Sequence, residues 1–175
     1  TTGPSIKNHD LSLLENEICI SVANFFVHPD FSKIRPMYHC ISPLHKPLTY
    51  EDGVRWFQKM QPHMDQTSLI LGYSDKKLIE MNRLFKSVNI YYLLFGDSWD
   101  NPVNKSLELT CQLPGCQSVS IMALILAIYI GCSEIYLLGT DHTVFKLDTG
   151  KYDYGHFYDG EAENALSEQV PPVDM

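Results

Sequence analysis

The chain has 175 residues, 45% of them hydrophobic and 19% charged, which is enough to bury one good core and leaves no room for a second full domain. A formal charge of −8 argues against a partner nucleic acid, because neutralising phosphates requires a basic face. The five cysteines (Cys19, Cys40, Cys111, Cys116, Cys132) are odd in number and contain no CxxC pair, which argues against a disulfide framework or a zinc ribbon and favours a reducing, cytoplasmic compartment.

The chain opens without an initiator Met or a charged-then-apolar leader, and is expected to begin inside a longer protein, in the middle of its first strand. Its first segment, TTGPS, offers a glycine that lets backbone approach a ligand, a proline that fixes the turn, and hydroxyl and N–H groups suited to a phosphate. It is neither a P-loop nor a complete GxGxxG, and a plain strand-to-helix turn is the competing reading. Apolar, β-rich runs follow at 17–23, 37–42, 67–72, 88–95 and 133–139, and these read as buried strands.

Helical patterns lie between them. Residues 51–64 place Val54, Phe57 and Met60 or Gln61 on one face, and 74–87 do the same with Leu78, Met81 and Leu84 or Phe85, with Ser74 and Asp75 as caps. The run 121–130 is ten residues long, about half of the ~20 that cross a bilayer, so it reads as a helix packed on nearly all sides and stopped by Gly131. Alternating strands and helices predict an α/β fold, a mostly parallel sheet with helices on both faces. One domain over 1–167 is expected, with 168–175 as a tail or the start of a lid or linker.

In such folds ligands gather beyond the carboxyl ends of the strands. The segments placed there are TTGPSIKN, the Asn24 turn, the loop with Ser42, GYSD (72–75), FGDSWDNP (Asp97, Trp99, Asp100) and GTDHT. Asp141, after the fifth run, could accept from a ribose hydroxyl, hold a cation with His142, or merely cap a turn. In KYDYGHFYDGE, His156 has three readings: a packed residue, a metal ligand with Asp153, Asp159 and Glu161, or a general base. The spacing fits no closed metal pattern. Tyr152, Tyr154 and Tyr158 could stabilise phosphate, stack on a sugar, or pack.

The order of these segments resembles the bacterial sialyltransferases that modify lipooligosaccharide, and their wider relatives. The resemblance rests on TGPSIKN, Asn24 at the end of the second strand, the ISP that closes the third, the pattern S-x-S-x-x-A-x-x-x-A-x-x-x-G-x-x-E-I-Y-L-x-G-x-D over 118–141, and Gly155-His156. It spans most of the chain, although 44–110 match only in layout. It implies a modified nucleotide-binding (GT-A-like, Rossmann-like) fold, a CMP-sugar donor, a glycan acceptor, no metal and no other cofactor, and displacement with inversion. Carried onto this chain, the catalytic histidine falls on His156. The nucleotide site falls on Thr2, Gly3, Pro4, Ser5, Asn24, Ser42, Ser118, Ser120 and Asp141.

The chain departs from the family where asparagines are replaced by Thr2 and Ser42, and where a phosphate-stabilising tyrosine is missing near Thr143; Tyr152, Tyr154 or Tyr158 would have to substitute. Two alternatives stand beside the transferase. One is an ATP- and Mg²⁺-dependent pyrophosphokinase resembling the archaeal-type pterin enzymes, which share the GPS loop and strand-end Asp. The other is a non-catalytic nucleotide-binding protein of the same fold. Peripheral association with the inner membrane and self-association are left open by the sequence.

Overall fold

A computed structural model of the chain describes residues 1–96, 108–141 and 156–158. Four strands, β1 (Ile20–Val22), β2 (Tyr38–Cys40), β3 (Ser68–Gly72) and β4 (Ile90–Leu93), form one all-parallel sheet in the order 1-2-3-4. Ile20 pairs with Tyr38, Tyr38 with Ser68, and Leu69 with Ile90. The α helices are α1 (Phe31–Ile34), α2 (Tyr50–Met60), α3 (Lys76–Met81) and α4 (Val119–Tyr129).

Strand periodicity divides the core between the two faces of the sheet. Leu69 and Leu71 point to one face, where they meet Phe31 and Ile34 of α1, Phe57 and Met60 of α2, and Leu78 and Ile79 of α3. Val22, Cys40, Ile70 and Leu93 point to the other and meet Met122 and Leu126 of α4. The fold is therefore α/β with helices on both faces. The three crossovers from β1 to β4 place their helices on the first face, and α4 then returns over the second face to lie against β1 and β2. Ligand sites of open parallel sheets lie beyond the carboxyl ends of the strands.

Local chemistry explains the helix limits. Thr49 and Asp52 form a reciprocal capping box that starts α2, worth roughly 1 kcal/mol in helices of this kind. Phe57 and Met60, the residues that spacing places on its inner face, are fully buried. The pattern over 74–87 is interrupted: α3 ends at Met81, and Arg83 and Phe85 adopt left-handed conformations. Met81 is accordingly exposed while Leu84 and Phe85 are buried. Asp75 precedes α3 without capping it, because its carboxylate accepts from the Leu44 N–H instead.

Two expectations are corrected. Residues 133–138 have the composition of a strand but form no ladder among the described residues, and Ile135, Tyr136 and Leu137 are exposed. Composition marks a segment able to pair, whereas a strand exists only where a neighbour supplies donors and acceptors. The four strands that do form are shorter than the apolar runs containing them. Helix α4 has its Ser118 cap and a left-handed Gly131 stop, but among the described residues it packs on one side only, leaving Ile121, Ile128 and Tyr129 exposed. Among the described residues no helix is long and apolar enough to cross a membrane.

Candidate active site

Residues from four distant parts of the chain converge beyond the carboxyl end of β1. The first loop enters beside residues 138 and 139: the Thr1 nitrogen donates to the Leu138 carbonyl, and the Gly3 N–H donates to the Gly139 carbonyl at 2.8 Å. Gly3 permits this approach, since a Cβ there would lie 2.4 Å from that same carbonyl oxygen. Gly139 answers with a left-handed φ of +67°, which carries the chain from this contact to Asp141.

Asp141 turns its carboxylate onto the first loop. One oxygen accepts from the Ser5 N–H at 2.7 Å and the other from the Ser5 hydroxyl at 2.5 Å. These two bonds, the hydroxyl first, hold the Asp141 carboxyl below the ordinary carboxylate range. Both oxygens are thus engaged in fixing the loop that Pro4 opens as a short 3₁₀ turn, Pro4–Asn8. Asp141 and the GPS loop form one locked unit in which Asp141 supports the loop.

Beside this unit, Thr2 is buried, and its hydroxyl lies 3.1 Å from Nδ1 of His156. The Thr2 carbonyl accepts from the Phe157 N–H at 2.9 Å. Phe157 is buried against the rings of Phe25 and His28, which anchors the segment. The His156 imidazole stacks on the Tyr158 ring, with centroids 4.8 Å apart and planes 12° from parallel. Tyr158 in turn accepts from Nδ2 of Asn24 at 3.3 Å, and Oδ1 of Asn24 accepts from the Trp56 indole N–H at 2.6 Å. Asn24 is buried in the 3₁₀ turn Ala23–Val27 that follows β1, reached through a left-handed Ala23.

This arrangement has a definite chemical capacity. With Nδ1–H donating to the Thr2 hydroxyl, Nε2 of His156 carries the lone pair and can take a proton from a hydroxyl placed against it. The Tyr158 face keeps the ring in plane, and the locked loop presents backbone next to it.

Of the residues singled out in the sequence, Thr2, Gly3, Ser5, Asp141, Asn24, His156 and Tyr158 are brought together. Ser42 follows β2, one strand away from Asn24, in a loop whose Ile41 N–H still bonds to Ile70 and whose Pro43 packs on Gly72. Ser118 is spent capping α4, and Ser120 lies in that helix's first turn; among the described residues neither bonds to the Thr2–His156 group. Tyr152, Tyr154, Gly155, Asp153, Asp159, Glu161, His142, Asp97, Trp99, Asp100 and the 168–175 tail lie outside the described residues. Among the described residues no three His, Cys, Asp or Glu side chains are grouped to hold a metal ion.

Trp56 is the residue that sequence reasoning missed. Helical spacing marks its neighbour Phe57 and gives no sign of an indole N–H reaching an asparagine 32 positions earlier. A second buried polar pair lies deeper: His39 is fully buried, with Nδ1 2.7 Å from the Ser21 hydroxyl and Nε2 without a hydrogen-bond partner among the described residues. Desolvation pushes its pKa down to about 3, so it is a neutral core histidine. No family model, curated protein or solved structure matches this chain.

Proposed function

We propose that the chain is a sialyltransferase-like glycosyltransferase with a single-domain, Rossmann-like, modified GT-A fold over 1–167. It takes a CMP-sugar or related nucleotide sugar as donor and a glycan as acceptor, needs no metal, and works in the cytoplasm. The observation that carries this reading is the convergence of Thr2, Asn24, Tyr158 and His156 at the carboxyl end of β1, where a nucleotide-sugar site belongs.

In the reaction, Nε2 of His156 removes the proton of an acceptor hydroxyl as its oxygen bonds to the anomeric carbon. The bond from that carbon to the phosphate oxygen breaks on the opposite face, the nucleotide leaves with the bonding pair, and configuration inverts. The tyrosine hydroxyls stabilise the leaving phosphate. His156→Ala should abolish transfer and leave CMP binding intact. Full transfer by that variant would overturn the assignment.

A pyrophosphokinase reading draws on the Ser5–Asp141 lock, since the GPS loop and strand-end Asp are the elements shared with that class. Thermal shifts with CMP, UDP, GDP and ATP, each with and without Mg²⁺, separate the two. Stabilisation by CMP without magnesium supports the transferase, and magnesium-dependent stabilisation by ATP alone supports the kinase. Binding of a nucleotide with no turnover of any donor supports the non-catalytic alternative.

A further inference from the structure

An asparagine amide presents an acceptor and a donor of almost equal size, and only its partners decide which way round it lies. At Asn24 the decision is made by Trp56. The indole can only donate, so the 2.6 Å contact requires the amide oxygen on the Trp56 side. The NH₂ group is thereby directed at the Tyr158 hydroxyl, 3.3 Å away. Asn24 is only 5% exposed, so the opposite orientation would press NH₂ against the indole N–H with little water to relieve it.

The indole is itself held by the core. Trp56 stacks on Phe57, with planes 15° from parallel, and Phe57 is fully buried beneath the sheet on a helix fixed by its capping box. From this fixed donor a chain of contacts runs outward: Trp56 to Asn24, Asn24 to Tyr158, and the Tyr158 ring to the parallel imidazole of His156. The Thr2 hydroxyl holds the imidazole at Nδ1.

We propose that Trp56 is a positioning residue of this site: by fixing the Asn24 amide it sets the Tyr158 ring and, through it, the plane of the His156 imidazole. This rests on the transferase reading only for what His156 then does; the positioning itself is a property of the free protein. Trp56 touches neither substrate nor reacting atoms in this scheme, and its effect passes through Asn24.

The test uses Trp56→Phe, which keeps the aromatic stacking and removes the donor, and Asn24→Asp, which keeps the acceptor for Trp56 and removes the donor to Tyr158. Two readouts are taken on the whole chain: the imidazole NMR signals of His156, and the affinity for CMP by calorimetry. Both variants should move the His156 signals, and through Asn24 and Tyr158, which the transferase reading places at the nucleotide, weaken CMP binding by about tenfold, the scale of one lost buried hydrogen bond. Combining Trp56→Phe with Asn24→Ala should weaken binding no more than Asn24→Ala alone, because the two act in series.

His156 signals unchanged in Trp56→Phe would overturn the proposal. Additive losses in the double variant would also overturn it, since they would mean that Trp56 acts by a separate route. If Trp56→Phe does not fold, Trp56→Met, which keeps apolar bulk and also lacks the donor, decides through the His156 signals. If the unaltered chain binds no CMP, the transferase reading falls, and the His156 signals still decide the role of Trp56.

Discussion

Thr2 and His156 stand 154 positions apart in the chain, yet the hydroxyl of one lies 3.1 Å from Nδ1 of the other. The contact ties the first loop to the segment carrying the candidate base. Because the Thr2 carbonyl also receives the Phe157 N–H, the two strands of chain are joined at backbone and side chain together. The hydroxyl thereby holds the imidazole at Nδ1.

Thr2→Val is therefore expected to act on the base rather than on the ligand. Transfer should fall by about ten- to a hundredfold, within the range of general-base contributions. CMP affinity should stay unchanged, and Thr2→Ser should restore the rate. The imidazole nitrogen shifts of His156 should report a mixed tautomer in the valine variant. A large loss of CMP affinity with those shifts intact would return Thr2 to the role of a nucleotide contact.

Gly3→Ala is expected to destabilise the fold by about 1–3 kcal/mol, the usual cost of forcing a methyl into a filled space. The added Cβ would meet the Gly139 carbonyl oxygen at 2.4 Å and the Asp141 carboxylate at 2.6 Å. The first of these is backbone and cannot turn away. Chemical denaturation measures the loss, and an unchanged midpoint would mean that the loop does not pack against 139–141.

How much of this was readable in advance differs from residue to residue. The run TSLILG reads as a strand buried on both faces because almost all of it is apolar, and Leu69, Ile70 and Leu71 are indeed buried on alternate sides. SEIYLLG has the same character and still forms no strand among the described residues, because pairing depends on a neighbour that composition cannot supply. Asp141 is recognisable as a strand-end carboxylate, but its partner Ser5 lies 136 positions away, and that distant bond is what makes it a support for the loop. The Trp56–Asn24 bond left no trace, since hydrophobic periodicity reports the inner face of a helix and not one polar atom at its edge.

His39 predicts an acid-sensitive fold. Unfolded, its imidazole titrates near the ordinary 6.5; folded, burial between Phe26 and Phe31 lowers it to about 3. Between these values the unfolded chain binds the extra proton, so the stability contributed is complete above pH 6.5 and is lost as pH falls toward 3. The slope from this one group is at most about 1.4 kcal/mol per pH unit. Denaturant midpoints from pH 7.5 to pH 4 for the unaltered chain and for His39→Gln give the comparison. The glutamine variant should lack this slope while keeping the contributions of other groups, including His28, whose pKa burial also lowers. Equal slopes in the two chains would show that His39 gains water or a partner on acidification.

One-sided packing of α4 gives the sharpest contrast in stability. A helix apolar all round would ordinarily lose stability wherever it is shortened, but here Met122 is fully buried under β1 and β2 while Ile128 is 59% exposed. Met122→Ala leaves a cavity against Val22, Cys40 and Ile70 and should cost about 2–5 kcal/mol. Ile128→Ala removes a side chain that is mostly in water and adds helix propensity, so it should change stability by less than about 0.5 kcal/mol. Tyr136→Lys, in the unpaired run at 82% exposure, should be similarly silent. Unfolding free energies for the three variants test the arrangement together. A loss at Ile128 comparable to that at Met122 would mean that the outer face of α4 is covered in the folded chain.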